Sequence, residues 1–451
     1  MGSPMFDYDD AMADLIFEYC RKRLALDPVP LDHPGENAAL SAALEGLVTA
    51  GGRPPAAVLD LFATHLAPAV ISCDSPRFLS FIPAAPTKAS LLFDMVVSCS
   101  SLQGSSWLEA AGAVAAENQV LRFLAEQAGL PAGAGGVFVA GGSAGNLSAL
   151  VVARDTAPSR GVEPSGRPVV AVSDQAHSSI ASALRVMGAR ALVVPTDRHR
   201  LTGPGLAAAL DASADSGDVV AVVATSGTTN AGLIDDLAGI AEVASARRLW
   251  MHVDGAYGGA GLLSPRFRHL YRGLERADSF VVDPHKWLFA PFDCAGLLYR
   301  EPAMARAVHT QDASYLDVLH TQSGEWNPSD YAYHLTRRAR GLAIWFSLAV
   351  YGTDAYGAAV ERAIDLARRA AARIASTPWL ELIMEPELSI VLFRRQGWGP
   401  ADYQAWTDEM LRRQVGFVTP TKWQGETVGR FAFLHPNTTM GMVDEMLALT
   451  A

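Results

Sequence analysis

Between Gly135 and Arg300 the chain alternates short, almost uninterrupted apolar runs with helical stretches, and that alternation restricts the fold more than any other feature. GGVFVAG leads into NLSALVVAR, RPVVAVSD into SSIASALRVM, and ARALVVPTD follows. DVVAVVATSG leads into DLAGIAEVASARR, LWMHVDGAYGG follows, and SFVVDPHKW and CAGLLYR close the series. Strands that are apolar on both faces must be covered on both faces, so the pattern predicts a mainly parallel sheet between two layers of helices. In such sheets ligands bind where the strands end and the loops begin.

The flanks read differently. MADLIFEYCRKRLA and PPAAVLDLFATHLAPAV carry apolar residues at helical spacing, separated by proline-rich breaks at 27–34 and 51–55. This first segment, residues 1–80, has too little apolar surface to fold alone and is expected to pack on something else, a partner subunit being one candidate. A large domain over 81–350 follows. Beyond LTRRARGLAIWFSLAVYG, read as a long helix, YGAAVERAIDLARRAAARIAS is one amphipathic helix. The strands ELSIVLFRR and GRFAFLH and a final helix MVDEMLALT then complete a small α+β domain over 351–451.

Charge and cysteine usage narrow the function classes. A net charge of -11 without any basic stripe argues against nucleic acid or an anionic membrane as the main partner. Cys20, Cys73, Cys99 and Cys294 are scattered without CxxC spacing, which fits a reducing cytosol and predicts neither a disulfide framework nor a metal site. The acidic N-terminus has no basic region of the kind that opens a signal peptide. The uncharged stretch Gly129 to Ala153 contains seven glycines and Pro131, and reads as loop, strand, turn and helix start rather than a membrane span.

Four strand ends carry polar residues that a scaffold does not require. In VAGGSAGNLSAL, a strand over Val137–Val139 runs into Gly141-Gly142-Ser143, with a helix starting near Asn146. Glycines there let backbone N–H groups approach an anion, and the helix N-terminus adds partial positive charge. The plain alternative is an ordinary strand–helix turn. In SDQAHSSI, His177 follows a buried strand, where a histidine is more often a helix cap than a catalytic group. In HVDGAYGG, Asp254 ends the strand Leu249–Val253; a buried carboxylate there needs a cationic or N–H partner, or caps a helix. In FVVDPHKWLFA, Lys286 is one of only four lysines, the others being Lys22, Lys88 and Lys422, and it stands among apolar residues. Such burial predicts a depressed pKa, the condition under which lysine forms Schiff bases; the alternative is a stem that covers a strand end. Together these supply an anion cradle, an acid for a ring nitrogen, a flat group for a ring face and a lysine for an imine. Those are the requirements of pyridoxal 5′-phosphate (PLP).

The chain resembles the group II PLP-dependent amino acid decarboxylases, the family of aromatic L-amino acid, histidine and glutamate decarboxylases. SPRFLSFIPAAPT, SDQAHSS, HVDGAYGG, DPHKWL, TRRARGLAIW and RFAFLHPNTT occur in the family's order. The resemblance implies an α/β fold of PLP fold type I, like aspartate aminotransferase, and a homodimer with the N-terminal segment wrapped round its partner. It implies that Lys286 carries the cofactor, Asp254 pairs with its ring nitrogen, and His177 and Ala256 cover its two faces. Gly142, Ser143 and His285 would hold the phosphate, Asp283 would stand near it, and Thr228 would support the site. Lys286, His177 and Asp254 are the expected catalytic residues. Phe81, Pro83, Ala84 and Trp107 are the expected substrate contacts, and no metal is expected.

The expected function is decarboxylation of an L-amino acid, aromatic or bulky and apolar, to the amine and carbon dioxide in the cytoplasm. Three features depart from the family pattern, one being Gly255 in place of a common Ala. Asp283 stands where aromatic decarboxylases usually have Asn. The loop tyrosine that supplies a proton in those enzymes aligns near Pro328; Tyr331, Tyr333 and His320 are its nearest replacements, in a loop over 314–334 expected to be mobile. Family members lacking that tyrosine can form an aldehyde instead, so an aldehyde synthase or another divergent PLP activity is the alternative. A PLP-binding protein without turnover is a third reading, against which the joint presence of Lys286, Asp254 and His177 argues.

Overall fold

A computed structural model of the chain describes residues 4–82, 85–311, 314 and 325–451. The seven predicted strands are all present: β1 (Gly135–Val139), β2 (Val169–Ser173), β3 (Arg190–Val194), β4 (Val219–Thr225), β5 (Trp250–Asp254), β6 (Ser279–Val282) and β7 (Ala295–Tyr299). They form one sheet in the order β1-β7-β6-β5-β4-β2-β3. β6, β5, β4, β2 and β3 run parallel, and β7 is antiparallel to both β1 and β6. Six strands therefore share one direction, and their C-terminal ends lie along one edge.

Helices cover both faces. N-terminal to the sheet come α1 (Asp10–Leu24), α2 (Asn37–Leu44), α3 (Pro55–Leu61), α4 (Lys88–Cys99) and α5 (Trp107–Gln127). Between the strands lie α6 (Gly142–Asp155), α7 (Ser178–Met187), α8 (Gly203–Ala212) and α9 (Leu237–Arg247). Strand β4 shows the double burial: Val222 and Ala224 pack with α5, α8 and α9, whereas Ala221 and Val223 pack with α6 and α7. Successive side chains of a strand point to opposite faces, so a strand wanted by two cores has to be apolar throughout.

After β7 come α10 (Pro302–His309), α11 (Leu342–Tyr351) and the long α12 (Thr353–Ala375). The C-terminal layer is a four-stranded antiparallel sheet, β10-β11-β9-β8, built from β8 (Leu380–Leu382), β9 (Ile390–Arg395), β10 (Thr421–Trp423) and β11 (Glu426–Ala432), with α13 (Pro400–Arg412) and α14 (Met440–Ala448). Leu79 joins its core and exchanges backbone hydrogen bonds with Phe417 and Ala432, so the segment before residue 80 is tied to this layer.

The structure corrects three sequence expectations. α6 begins at Gly142, four residues before Asn146. β5 runs from Trp250 through Asp254. The long helix read over 335–352 is only α11, because Arg337, Arg338 and Arg340 leave the helical path to pair with Glu117, Asp94 and Asp293. No described helix is long and apolar enough to cross a membrane.

Candidate active site

The shared strand edge gathers the polar residues. A cavity of about 180 Å³ opens there, lined by the turn Gly141-Gly142-Ser143, by His177, by Asp254 and Ala256, and by Asp283, His285 and Lys286. These groups arrive at the ends of β1, β2, β5 and β6, and Thr225, Gly227 and Thr229 add the end of β4, so the chain approaches the cavity five times.

Asp254 is nearly fully buried, and both its oxygens are held. Asn146 Nδ2 donates to Oδ2 at 2.9 Å and the Ala256 N–H to Oδ1 at 3.1 Å. His177 is the N-cap of α7: its Nδ1 accepts the Ser179 N–H at 3.2 Å and lies 2.9 Å from Ser179 Oγ. It is therefore both a helix cap and a wall of the cavity.

Asp283 lies deeper. Its Oδ2 is 2.9 Å from Lys286 Nζ, accepts the Gly142 N–H at 3.2 Å and lies 3.7 Å from His285 Nε2. Its Oδ1 is buried without a hydrogen-bond partner among the described residues. His285 Nδ1 accepts the Cys294 N–H at 3.0 Å, which leaves the proton of a neutral ring on Nε2, and burial lowers its pKa. Lys286 overturns the expected depressed pKa. Burial does penalise its ammonium, but the Asp283 carboxylate, with a further pull from Asp254, outweighs that and raises the pKa above the usual lysine value.

The residues fit PLP. A Cβ at Gly142 would stand 3.0 Å from Ala256 Cβ and 3.1 Å from Asp283 Oδ2, so glycine keeps this cradle open where a side chain would have to push its neighbours aside. The cradle lies at the N-terminus of the 14-residue α6, where N–H groups and the helix dipole favour an anion. A lysine and a buried carboxylate face the same cavity, and a buried carboxylate oxygen there still lacks a partner. Among the described residues no cluster of His, Cys, Asp or Glu could hold a metal ion.

Other expected residues lie elsewhere. Thr228 is buried, but its Oγ1 accepts the Leu233 N–H at 3.1 Å inside its own turn, while Thr225, Gly227 and Thr229 reach the cavity. Phe81 and Trp107 do not line it. Phe81 is largely exposed beside Phe78 and Phe417, although Arg430 donates both to the Phe81 carbonyl and to that of Thr229, tying the segment to the cavity rim. Pro83, Ala84 and His320 lie outside the described residues. Tyr331 is buried and stacks on Trp326, and Tyr333 is exposed; neither lines the cavity. Asn146, Ser179 and Tyr257 line it without having been singled out in the sequence. For Asn146 a signal existed, since a residue four after Gly142 on one helix shares its face.

A doubly covered, mainly parallel sheet with this lysine, carboxylate and glycine cradle defines a fold type I PLP enzyme. A family model described as "Pyridoxal-dependent decarboxylase conserved domain" matches residues 52–396. The chain is 29% identical to an aromatic-L-amino-acid decarboxylase of Bacillus atrophaeus, over 97% of this chain and 92% of that one. It is 32% identical to an L-2,4-diaminobutyrate decarboxylase of Rhizobium meliloti (strain 1021), over 82% and 76%. A crystal structure of Oryza sativa TDC with PLP and tryptamine superposes with a TM-score of 0.90 at 25% identity, covering 100% of this chain and 98% of the other. The chain belongs to the pyridoxal-dependent decarboxylase family and is a PLP-dependent amino acid decarboxylase.

Proposed function

We propose that the protein removes the α-carboxyl group of an aromatic or bulky apolar L-amino acid, releasing the amine and carbon dioxide, with Lys286, Asp254 and His177 as its catalytic residues. The observation that carries this reading is the meeting of these three side chains with the Gly142-Ser143 cradle in one cavity. PLP, when bound, supplies an aldehyde that condenses with amines and a ring that accepts electron density as carbon dioxide leaves. Gly142, Ser143 and His285 would hold its phosphate, with Asp283 beside them. Asp254 would face the ring nitrogen and keep it protonated, and His177 and Ala256 would cover the ring faces. Lys286 has to lose a proton before its nitrogen can act as a nucleophile, and the Asp283 carboxylate, whose Oδ2 is 2.9 Å away, opposes that loss by stabilising the ammonium.

The substrate class rests on charge. Lys286 is the only lysine or arginine among the described cavity residues, and it is already paired with Asp283, so nothing there would receive a second carboxylate. Asp254 has both oxygens held by Asn146 and Ala256, and the charge of Asp283 is matched by Lys286 although its Oδ1 has no partner among the described residues, which disfavours a second ammonium such as that of diaminobutyrate. Phe81, exposed and tied to the rim through Arg430, offers apolar surface for a side chain. Pro83, Ala84 and Trp107 are proposed with Phe81 as substrate contacts.

One observation favours an aldehyde as product instead. Tyr331 and Tyr333, the tyrosines nearest the aligned position of the family's proton donor, do not line the cavity. We assign protonation to His320, because its ordinary pKa suits a general acid near neutral pH. The protein is further read as a cytoplasmic homodimer, which accounts for the unburied apolar residues of its N-terminal helices.

The decisive experiment incubates the PLP-loaded protein with tryptophan, tyrosine, phenylalanine, glutamate and 2,4-diaminobutyrate, and measures amine, aldehyde, ammonia, peroxide and dioxygen uptake. Amine from an aromatic substrate without dioxygen uptake is expected. Dioxygen consumed in proportion to turnover would replace the decarboxylase reading by the aldehyde-forming one. Turnover of diaminobutyrate or glutamate alone would overturn the substrate class. His320→Gln should divert product toward aldehyde, while Tyr331→Phe and Tyr333→Phe keep the wild-type ratio; a diversion in either tyrosine variant would refute the assignment.

A further inference from the structure

Behind the cavity wall runs a chain of hydrogen bonds that begins in the core and ends at both Asp254 and His177. Trp250 Nε1 donates to Ser279 Oγ at 2.7 Å. Ser279 Oγ is also 2.8 Å from His252 Nδ1, and His252 Nε2 is 2.8 Å from Asn146 Oδ1. Asn146 Nδ2 then reaches Asp254 Oδ2 at 2.9 Å and Ser179 Oγ at 3.1 Å. Ser179 Oγ is 2.9 Å from His177 Nδ1. His252, Ser279, Asn146 and Ser179 are all buried.

The chemistry of the ends sets the direction of the whole row. An indole N–H can only donate. Ser279 therefore accepts from Trp250, and because the Asp254 carboxylate can only accept, Asn146 turns Nδ2 to it and Oδ1 to His252 Nε2, which leaves His252 Nδ1 to accept the Ser279 proton. The neutral His252 ring, its pKa pulled down to about 4 chiefly by burial, then carries its proton on Nε2 and gives it to an oxygen. The Asn146 amide thus has Oδ1 toward His252 and Nδ2 toward both Asp254 and Ser179. Ser179, accepting from Asn146, gives its proton to His177 Nδ1, which the Ser179 N–H also approaches at 3.2 Å. Both leave the His177 proton on Nε2.

We propose that Asn146, oriented by His252 and Ser279, is a positioning residue shared by Asp254 and His177: one carboxamide holds the carboxylate in place and, through Ser179, sets the tautomer of the ring. The assignment rests on the reading above, in which Asp254 and His177 face PLP. Sequence spacing supports the arrangement. His252 and Asp254 are i and i+2 on one strand and share a face, and Asn146 lies four residues, about one turn, into α6 from the cradle glycine.

The test compares Asn146→Leu, Asn146→Asp, Ser179→Ala and Ser279→Ala with the wild type, with Asp254→Asn as a control for the site itself. Three quantities are read: the Kd for PLP by fluorescence quenching, the split between kcat and KM, and the His177 ring tautomer by ¹⁵N NMR of histidine-labelled protein, assigned with His177→Gln. Asn146→Leu should lower kcat by roughly 10- to 100-fold with little change in KM. Asn146→Asp sets a second carboxylate against Asp254 and should weaken PLP binding by at least about tenfold, more so as pH rises. Ser179→Ala should move part of the His177 population to the Nδ1-protonated ring. Ser279→Ala, which frees only the far end, should give a smaller kcat loss of the same kind.

If Asp254→Asn is crippled while the Asn146 variants keep wild-type kcat, Kd and tautomer, the positioning role is wrong and the site assignment stands. If Asp254→Asn itself keeps wild-type kcat and Kd, the assignment of the site fails and the inference falls with it. Should Asn146→Leu not fold, the tautomer in Ser179→Ala and the kcat of Ser279→Ala decide, and wild-type values in both overturn the proposal.

Discussion

Lys286 shows how much one neighbour changes a residue. Its apolar sequence surroundings predict a depressed pKa, yet Asp283 three residues earlier reverses the sign. An amine held as ammonium captures an aldehyde slowly, so the rate at which the apo-protein captures PLP should rise with pH well beyond neutrality. Asp283→Asn removes the nearest partner and leaves burial opposed only by the weaker pull of Asp254, so the profile should move to lower pH. Stopped-flow absorbance of capture against pH measures both, and superimposable profiles would show that Asp283 does not govern the proton. Lys286→Ala should leave no cofactor covalently fixed after borohydride reduction, whereas Lys22→Ala, Lys88→Ala and Lys422→Ala should fix it normally. Lys286 and Asp254 were legible as single residues because each is a charged group at an apolar strand end. Asn146 was legible only by its place, four residues after Gly142 on one helix face, since a lone asparagine does not announce which carboxylate it will meet.

At the scale of elements, α6 carries the sharpest expectation. Its first residue, Gly142, lies 3.2 Å from Asp283 Oδ2 through its N–H, and an added methyl would press on the Ala256 Cβ and on the Asp283 carboxylate that Lys286 holds. Gly142→Ala should weaken PLP by roughly tenfold or more, about 1.4 kcal/mol or more, with the far-ultraviolet spectrum unchanged. An unaltered Kd would mean that the cradle lies elsewhere. The N-terminal helices form the other telling element. No residue of α1, α2 or α3 is buried, although Leu15, Ile16, Phe17 and Val58 are apolar, and Arg23 pairs with Asp74 at 2.9 Å to hold the segment at its end. Such a segment calls for a partner surface. The protein should sediment as a dimer, and deleting residues 1–70 should give insoluble chain; a soluble, active monomer from the truncation would refute that. The strands of the large sheet were legible because double burial makes them apolar throughout. α4, α5 and α13 went unread because their apolar faces are narrow and broken by small and polar residues.

Across the whole molecule, buried histidines tie stability to pH. Burial pulls His252, His334 and His435 down to about 4. In the unfolded chain each titrates near 6.5. Between about pH 6.5 and 4 the unfolded state therefore binds more protons, and stability falls as pH falls; above about 6.5 these groups add no slope. For the fully buried His252 the loss by pH 4 is about 3 kcal/mol, and it is smaller for the half-buried other two. Thermal melts of the apo-protein between about pH 7 and 4.5 should show a falling Tm, with a shallower fall in His435→Gln. A Tm independent of pH over that range would show that these rings are not buried neutral.

The sequence by itself determined the sheet, its double coverage and the class of chemistry. Apolar runs of strand length alternating with helices admit few packings, and a lysine or carboxylate at an apolar strand end has few reasons to be there. Tertiary structure alone decided which strand ends meet and in what order. It brought Gly142, Asp254 and Asp283 to one cavity although 141 positions separate the first from the last. It also reversed the expected pKa of Lys286, turned Thr228 into its own turn and joined His252 to His177 through Asn146. Charge interactions and hydrogen bonds act within a few ångströms, and those distances exist only once the strands lie side by side.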